Sequence, residues 1–123
     1  MQGGIYINVE KYLKNNLNLD KEALALSEAI SIIAARSVIS SDNQDQAMLE
    51  EYSQELTILQ CTSLEIDKII NSIADTEIKN IFALRYISKL NWIEIQNKTF
   101  LSESTLFRLH AKGIKWLEQN YKP

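Results

Sequence analysis

The sequence predicts an all-α protein, and three observations carry that expectation. Among 123 residues there are three glycines (Gly3, Gly4 and Gly113) and one proline, Pro123, so residues 5 to 112 hold no helix breaker. Sheets need turns, and turns favour Gly, Pro, Asn and Asp. Only "NNLNLD" (15–20), "SSDNQD" (40–45), Asp75, Asn91 and the region around Thr99 can supply them. Between those breaks apolar residues recur at steps of three and four, the spacing of one helix face. The expected architecture is a long N-terminal antiparallel helical hairpin over residues 1–74, followed by a helix-turn-helix domain over residues 75–123.

The first seam runs Val9, Tyr12, Asn16, Leu19, Ala23, Leu26, Ile30, Ile33, with one polar slot at Asn16. Asp20 is placed to cap a fresh helix after "NNLN", which would kink or break the segment there. The seam fades at Ser37 and Ser40 and resumes after the polar stretch as Leu49, Tyr52, Leu56, Leu59, Ser63, Ile66, Ile70, Ile73. Asp42 is the expected cap, and a helix over 43–74 would be about 48 Å long. Two long helices joined by a short polar loop fold back on each other. Their residual apolar faces would recruit a second chain, so a homo-oligomer through the hairpin is expected.

Three shorter helices follow. Asp75 or Thr76 caps "EIKNIFALRYISK", whose inner face is Ile78, Ile81, Phe82, Leu84 and Ile87. Asn91 begins "NWIEIQNK" with Glu94 three residues on, a capping-box arrangement. Ser102 caps the last helix, expected over 103–119. A short helix, a tight turn and a second helix are the parts of a helix-turn-helix.

Composition excludes several classes. With 46% hydrophobic residues the chain can bury a core. Its one cysteine, Cys61, permits neither an intrachain disulfide nor a thiolate cluster, which favours a reducing, cytoplasmic setting. The start "MQGGIYINVEKYLKNN" lacks a basic segment before a long apolar run, so no secretory leader is expected. No stretch approaches the roughly 20 apolar residues of a membrane span. There is one histidine, no acidic metal cluster and no glycine-rich phosphate loop, so no enzyme, metal or cofactor is expected.

Charge is divided unevenly. Residues 1–75 carry five Lys/Arg against twelve Asp/Glu, a net of −7, whereas residues 76–123 carry eight against four, a net of +4. Such asymmetry points to a C-terminal part that faces nucleic acid. On the last helix, steps of about 100° per residue put Leu106, Leu109, Gly113, Ile114, Trp116 and Leu117 on the buried side. Ser104, Thr105, Arg108, Ala111, Lys112 and Lys115 fall opposite, with Phe107 at the boundary. A wet face that is hydroxylic at its start and cationic further on suits a helix whose first turns meet bases and whose later cations meet phosphates. The plainer reading is an ordinary solvated amphipathic helix. His110 lies about 40° from Leu106, on the buried side, and is read as a packed histidine satisfied by one hydrogen bond.

The segment "IFALRYISKLNWIEIQNKTFLSESTLFRLHAKGIKWL" (81–117) resembles region four of bacterial sigma factors, with its Leu-Arg-Tyr helix, Glu-Ile first helix and Ser-x-Ser-Thr recognition helix. It is most similar to phage and prophage transcriptional regulators of the ArpU/RinA type, which share "RYI", a Trp before Glu-Ile, an aromatic near the turn and an Arg-Leu-His step. The early "YLKNNLNLD" and "LEIDKIINSIAD" resemble that group more loosely. The chain departs from the pattern at Gln96, where a small residue is usual, at Thr99, where an apolar one is, and at Glu103, where a base is.

The resemblance implies a regulator that inserts its last helix into the major groove of double-stranded DNA, with RNA polymerase as a further partner. It places Ser104, Thr105 and Arg108 at base-facing positions, with Lys112, Lys115, Lys98 and Lys89 as phosphate contacts. Ser102, at the cap, and Glu103 belong to the same surface. Glu103 either accepts from cytosine N4 or complements the helix dipole. Arg85 either binds phosphate or pairs with a nearby acid, and Trp92 and Tyr86 are read as packing residues. The competing expectation is a non-enzymatic adaptor that docks on RNA polymerase or another protein without touching DNA.

Overall fold

In the computed structural model, which describes residues 8–40 and 43–121, every regular element is helical. Asn8 caps α1 (Val9–Asn15) by accepting the Lys11 N–H at 3.0 Å. The helix stops at the polar slot, where the Asn16 amide donates to the Tyr12 carbonyl at 2.8 Å. α2 (Leu19–Ser40) starts almost at once, and the Asn18 carbonyl accepts the Glu22 N–H at 3.1 Å. Asp20 therefore sits inside the first turn rather than at the cap, where its charge complements the helix dipole. α3 is Asn43–Asn71, about 43 Å long at the usual rise, and the expected cap Asp42 lies outside the described residues.

Two compact units form. One joins the described residues up to Leu17 with those from Glu65 onward; the other is Asn18–Leu64. This differs from a boundary at residue 75, and burial along the seam gives the reason. Leu49, Tyr52, Leu56 and Leu59 are only half-buried, whereas Ile66, Ile69, Ile70 and Ile73 are buried. α1 likewise buries Val9 and Leu13 and packs on the last helix. The apolar seam keeps its period but changes partners.

Within Asn18–Leu64, Arg36 grips Asp45 in a two-pronged pair: Nε donates to Oδ2 at 2.9 Å and Nη2 to Oδ1 at 2.6 Å. That hydrogen-bonded guanidinium holds the buried Asp45 carboxyl below the usual carboxylate range. Further from the turn, Glu22, Ala25 and Leu26 of α2 and Glu55, Ile58 and Leu59 of α3 line a groove of about 410 Å³. Earlier residues of α2 thus line this groove together with later residues of α3.

In the other unit, Asp75 caps α4 (Thr76–Phe82) by accepting the Ile78 N–H at 3.0 Å. The helix then widens into a π-helical turn, Ala83–Ile87, closed by the Ser88 N–H on the Ala83 carbonyl at 2.9 Å. α5 (Trp92–Thr99) and α6 (Glu103–Asn120) follow. α6 buries Leu106, Leu109, Gly113, Ile114 and Leu117, the predicted face, with Trp116 half-buried beside it. α4 crosses α6 at Gly113, where a Cβ would come within 2.3 Å of Phe82 Cε1 and 2.8 Å of Ile78 Cγ2. No side chain fits there. At the far end of α6, Tyr121 Oη donates to Glu65 Oε1 at 2.7 Å.

Candidate nucleic-acid interface

Local chemistry fixes how α5, the turn and α6 connect. Asn91 Oδ1 accepts the Glu94 N–H at 2.8 Å while Glu94 Oε1 accepts the Asn91 N–H at 3.0 Å, so both halves of the capping box are made. α5 ends at Phe100, whose backbone is left-handed (φ 60°, ψ 22°) and whose N–H donates to the Gln96 carbonyl at 2.9 Å. Ser102 Oγ then accepts the Thr105 N–H at 3.2 Å and opens α6. Three residues, Phe100 to Ser102, make the turn.

A ring cluster locks α6 onto this frame. His110 stacks on Phe82 with centroids 4.9 Å apart and planes 11° apart, and Trp92 stands edge-on to His110 and to Phe107 at 5.2 and 5.4 Å. Tyr86, buried on the π-helical turn, places its Oη 2.7 Å from His110 Nε2 in a buried hydrogen bond. Burial pushes the Tyr86 phenol up to about 12 and the His110 imidazole down to about 4. Both are neutral near pH 7, and the histidine is a packed one with a single hydrogen-bond partner, Tyr86.

Two expected cations turn out to be engaged inside the protein. Arg85 makes neither a phosphate-ready fork nor an ion pair; its Nη1 donates to the Leu90 carbonyl at 2.9 Å, and its guanidinium lies 5.2 Å from the Trp92 ring centre. It braces the start of α5. Lys89 Nζ donates to the Tyr86 carbonyl at 2.8 Å on a left-handed backbone (φ 62°). Both satisfy backbone carbonyls that the irregular turn leaves over.

The outward face of α6 is different. Arg108, Lys112 and Lys115, with Lys98 at the end of α5, are exposed, and their side chains make no hydrogen bond or ion pair among the described residues. At about 100° per residue, Ser104, Thr105, Arg108, Lys112 and Lys115 form one stripe. Glu103 points about 140° away from Arg108 by the same count and stands alone in the first turn, which favours dipole complementation over base contact. Ser102 Oγ donates to Thr105 Oγ1 at 2.9 Å and lies 3.3 Å from Ser104 Oγ, so the hydroxyls at the helix start are organised by the cap. Lys115 also borders a groove of about 650 Å³ shared with Glu10, Lys14 and Glu118, where acids dilute its charge. Arg108 and Lys112 are the cleanest cations.

One exposed feature has no counterpart in the sequence expectations. Phe100, just past the end of α5, is 92% exposed, and Ile93 in α5 is 69% exposed. A left-handed non-glycine residue costs about 1–2 kcal/mol, and here no packing offsets it. Phe100→Gly should therefore stabilise the fold by about 1 kcal/mol, after the extra entropy glycine gives the unfolded chain. Thermal unfolding followed by circular dichroism reads this directly; a lower Tm would mean the ring contributes packing.

A family profile described as "Protein of unknown function (DUF722)" matches residues 1–119. The chain belongs to that family. No curated protein and no solved structure matches it. The DUF722 match takes in residues of both compact units, so the unit Asn18–Leu64 belongs to the family as much as the unit that holds α4 to α6 does. No described helix is long and apolar enough to cross a membrane.

Proposed function

We propose that this DUF722 protein is a sequence-specific regulator of transcription, of phage or prophage origin, that binds double-stranded DNA with α6 in the major groove. One observation carries the reading: a stripe of small hydroxyls followed by unpaired cations, on a helix whose opposite face is locked against α4. A surface held that rigidly, with cations left in water, is pre-organised to meet a polyanion. The hydroxyls at the start of α6 face base edges, Arg108 reaches bases or phosphate, and Lys112, Lys115 and Lys98 neutralise phosphates. RNA polymerase or a second copy of the chain adds the affinity that so few cations leave wanting.

A titration of fluorescent duplex fragments at several salt concentrations tests this. Lys112→Ala should weaken binding about equally on all sequences and lower the salt slope by about 0.9. Arg108→Ala should weaken it and narrow the gap between preferred and random sequences. If neither substitution changes binding, α6 is not the DNA-reading helix. A second reading, a protein adaptor docking on RNA polymerase, draws on the exposed Phe100 and Ile93. It expects intact polymerase capture by Arg108→Ala and loss of capture by Phe100→Ser.

A further inference from the structure

The turn between α5 and α6 carries a side chain that the fold does not use. Phe100 is almost wholly exposed, on a left-handed backbone (φ 60°) that costs a non-glycine residue stability. Its neighbours Thr99 and Leu101 are half-buried and line a groove with Thr76, Asn80 and Ile81 of α4. Phe100 stands between them and is turned out into water. A strained position that packing does not explain points to function.

The surroundings of the ring say what it meets. From Gln96 to Lys115 the chain carries four cations, Lys98, Arg108, Lys112 and Lys115, against one acid, Glu103, a net of +3. Exposed Lys98 is two residues before the ring, and the capping hydroxyl of Ser102 is two residues after it. Ile93, the exposed isoleucine of α5, is seven residues back, with Asn97 and Lys98 exposed between the two. A protein-docking surface is depleted of charge at its core. A single ring in a basic, hydroxylic field instead complements a polyanion that also presents apolar groups. DNA does both in its major groove, where each thymine shows a C5 methyl. Position fits as well. Phe100 precedes the Ser102 cap by two residues, at most about 7 Å of backbone, and at about 3.4 Å per base pair that is about two pairs.

We propose that Phe100 is a specificity residue whose ring contacts the methyl group of a thymine in the major groove, about two base pairs outside those opposite the start of α6. The inference rests on the DNA-binding reading and gives it a sequence preference. The cations supply affinity without discrimination; the ring supplies discrimination without charge.

A pool of duplexes with a randomised centre, carried through rounds of binding to the full chain, provides the test, because uracil is thymine without the methyl. The selected duplexes should share a thymine at one fixed position. Deoxyuridine there should weaken binding about fourfold, the effect of burying about one methyl. Phe100→Gly should bind the thymine and uracil duplexes equally, with an unchanged salt slope, because no charge is lost. Glycine suits a left-handed turn, so the variant folds and the change reads the ring alone. Equal binding of the two duplexes by the wild type, or a preference that persists in Phe100→Gly, would overturn the inference and leave DNA binding standing. Binding of no duplex at all would remove both. Unchanged duplex binding with lost capture of RNA polymerase in Phe100→Gly would assign the ring to a protein partner and overturn the inference equally.

Discussion

Between pH 6.5 and pH 4 the protein is expected to lose about 3 kcal/mol of folding stability through one residue, His110. Burial lowers the imidazole from its ordinary 6.5 to about 4 in the folded state, and it is only 7% exposed. The unfolded chain therefore takes up a proton near pH 6.5 while the folded one holds off until about pH 4. In that window the unfolded state binds more protons, so acid favours unfolding. At about 1.4 kcal/mol for each unit of difference, the loss approaches 3 kcal/mol at pH 4 and saturates below it. The stability is fully present above pH 6.5. His110→Gln is the control, since an amide can still bond Tyr86 Oη but does not titrate. Denaturant melts of both proteins at pH 7 and pH 4 should show the wild type losing about 3 kcal/mol more than the variant. Equal losses would mean that His110 is reached by water in the folded state. The Asp45 carboxyl, held low by Arg36, titrates below this window and cancels in the comparison.

Gly113→Ala should be the most damaging single methyl in the chain. In an exposed helix the change would help by about 1 kcal/mol through propensity. Here the new Cβ falls 2.3 Å from Phe82 Cε1 and 2.6 Å from Cζ. Phe82 is wholly buried and stacked on His110, so the ring has nowhere to turn. Overpacking of this kind costs about 1–3 kcal/mol beyond any propensity gain, and a domain of this size shifts about 4–8 °C per kcal/mol. A fall in Tm of about 10 °C is expected. Phe82→Leu in the same protein should recover part of it, because the pair is in contact and its effects do not add. If Gly113→Ala instead raises the Tm, the α4–α6 crossing is looser than described.

The parts of this fold that could be read from the sequence are those fixed within a few residues. The Asn91–Glu94 box, the Ser102 and Asp75 caps and the buried face of α6 all follow from local spacing, and each is seen at hydrogen-bonding distance or in burial. The all-helical class follows from where glycine and proline are missing. What could not be read depends on partners distant in sequence. The π-helical turn holds Tyr86, whose hydrogen-bond partner His110 lies 24 residues on. Arg85 and Lys89 look like free cations until the turn's leftover carbonyls are located. The division at residues 17 and 65 is invisible to periodicity, since the seam of α3 keeps its step while its neighbours change. Phe100 gives no sign either, because left-handed helix ends favour Gly or Asn and nothing marks the exception. Of the candidate interface, the stripe from Ser104 to Lys115 was legible, but the ranking of its cations was not: only the position of Glu10, Lys14 and Glu118 shows which lysine is crowded by acid.

Arg85 and Lys89 have one more consequence. On the proposed function, with both drawn into the scaffold, the ionic footprint left to grip a duplex is narrow. A reader with few electrostatic handles has short dwell times at any one site, and rising salt releases it gradually. On the proposed function, occupancy of an operator would then track the protein's abundance closely, responding within the time needed to make or dilute it rather than latching.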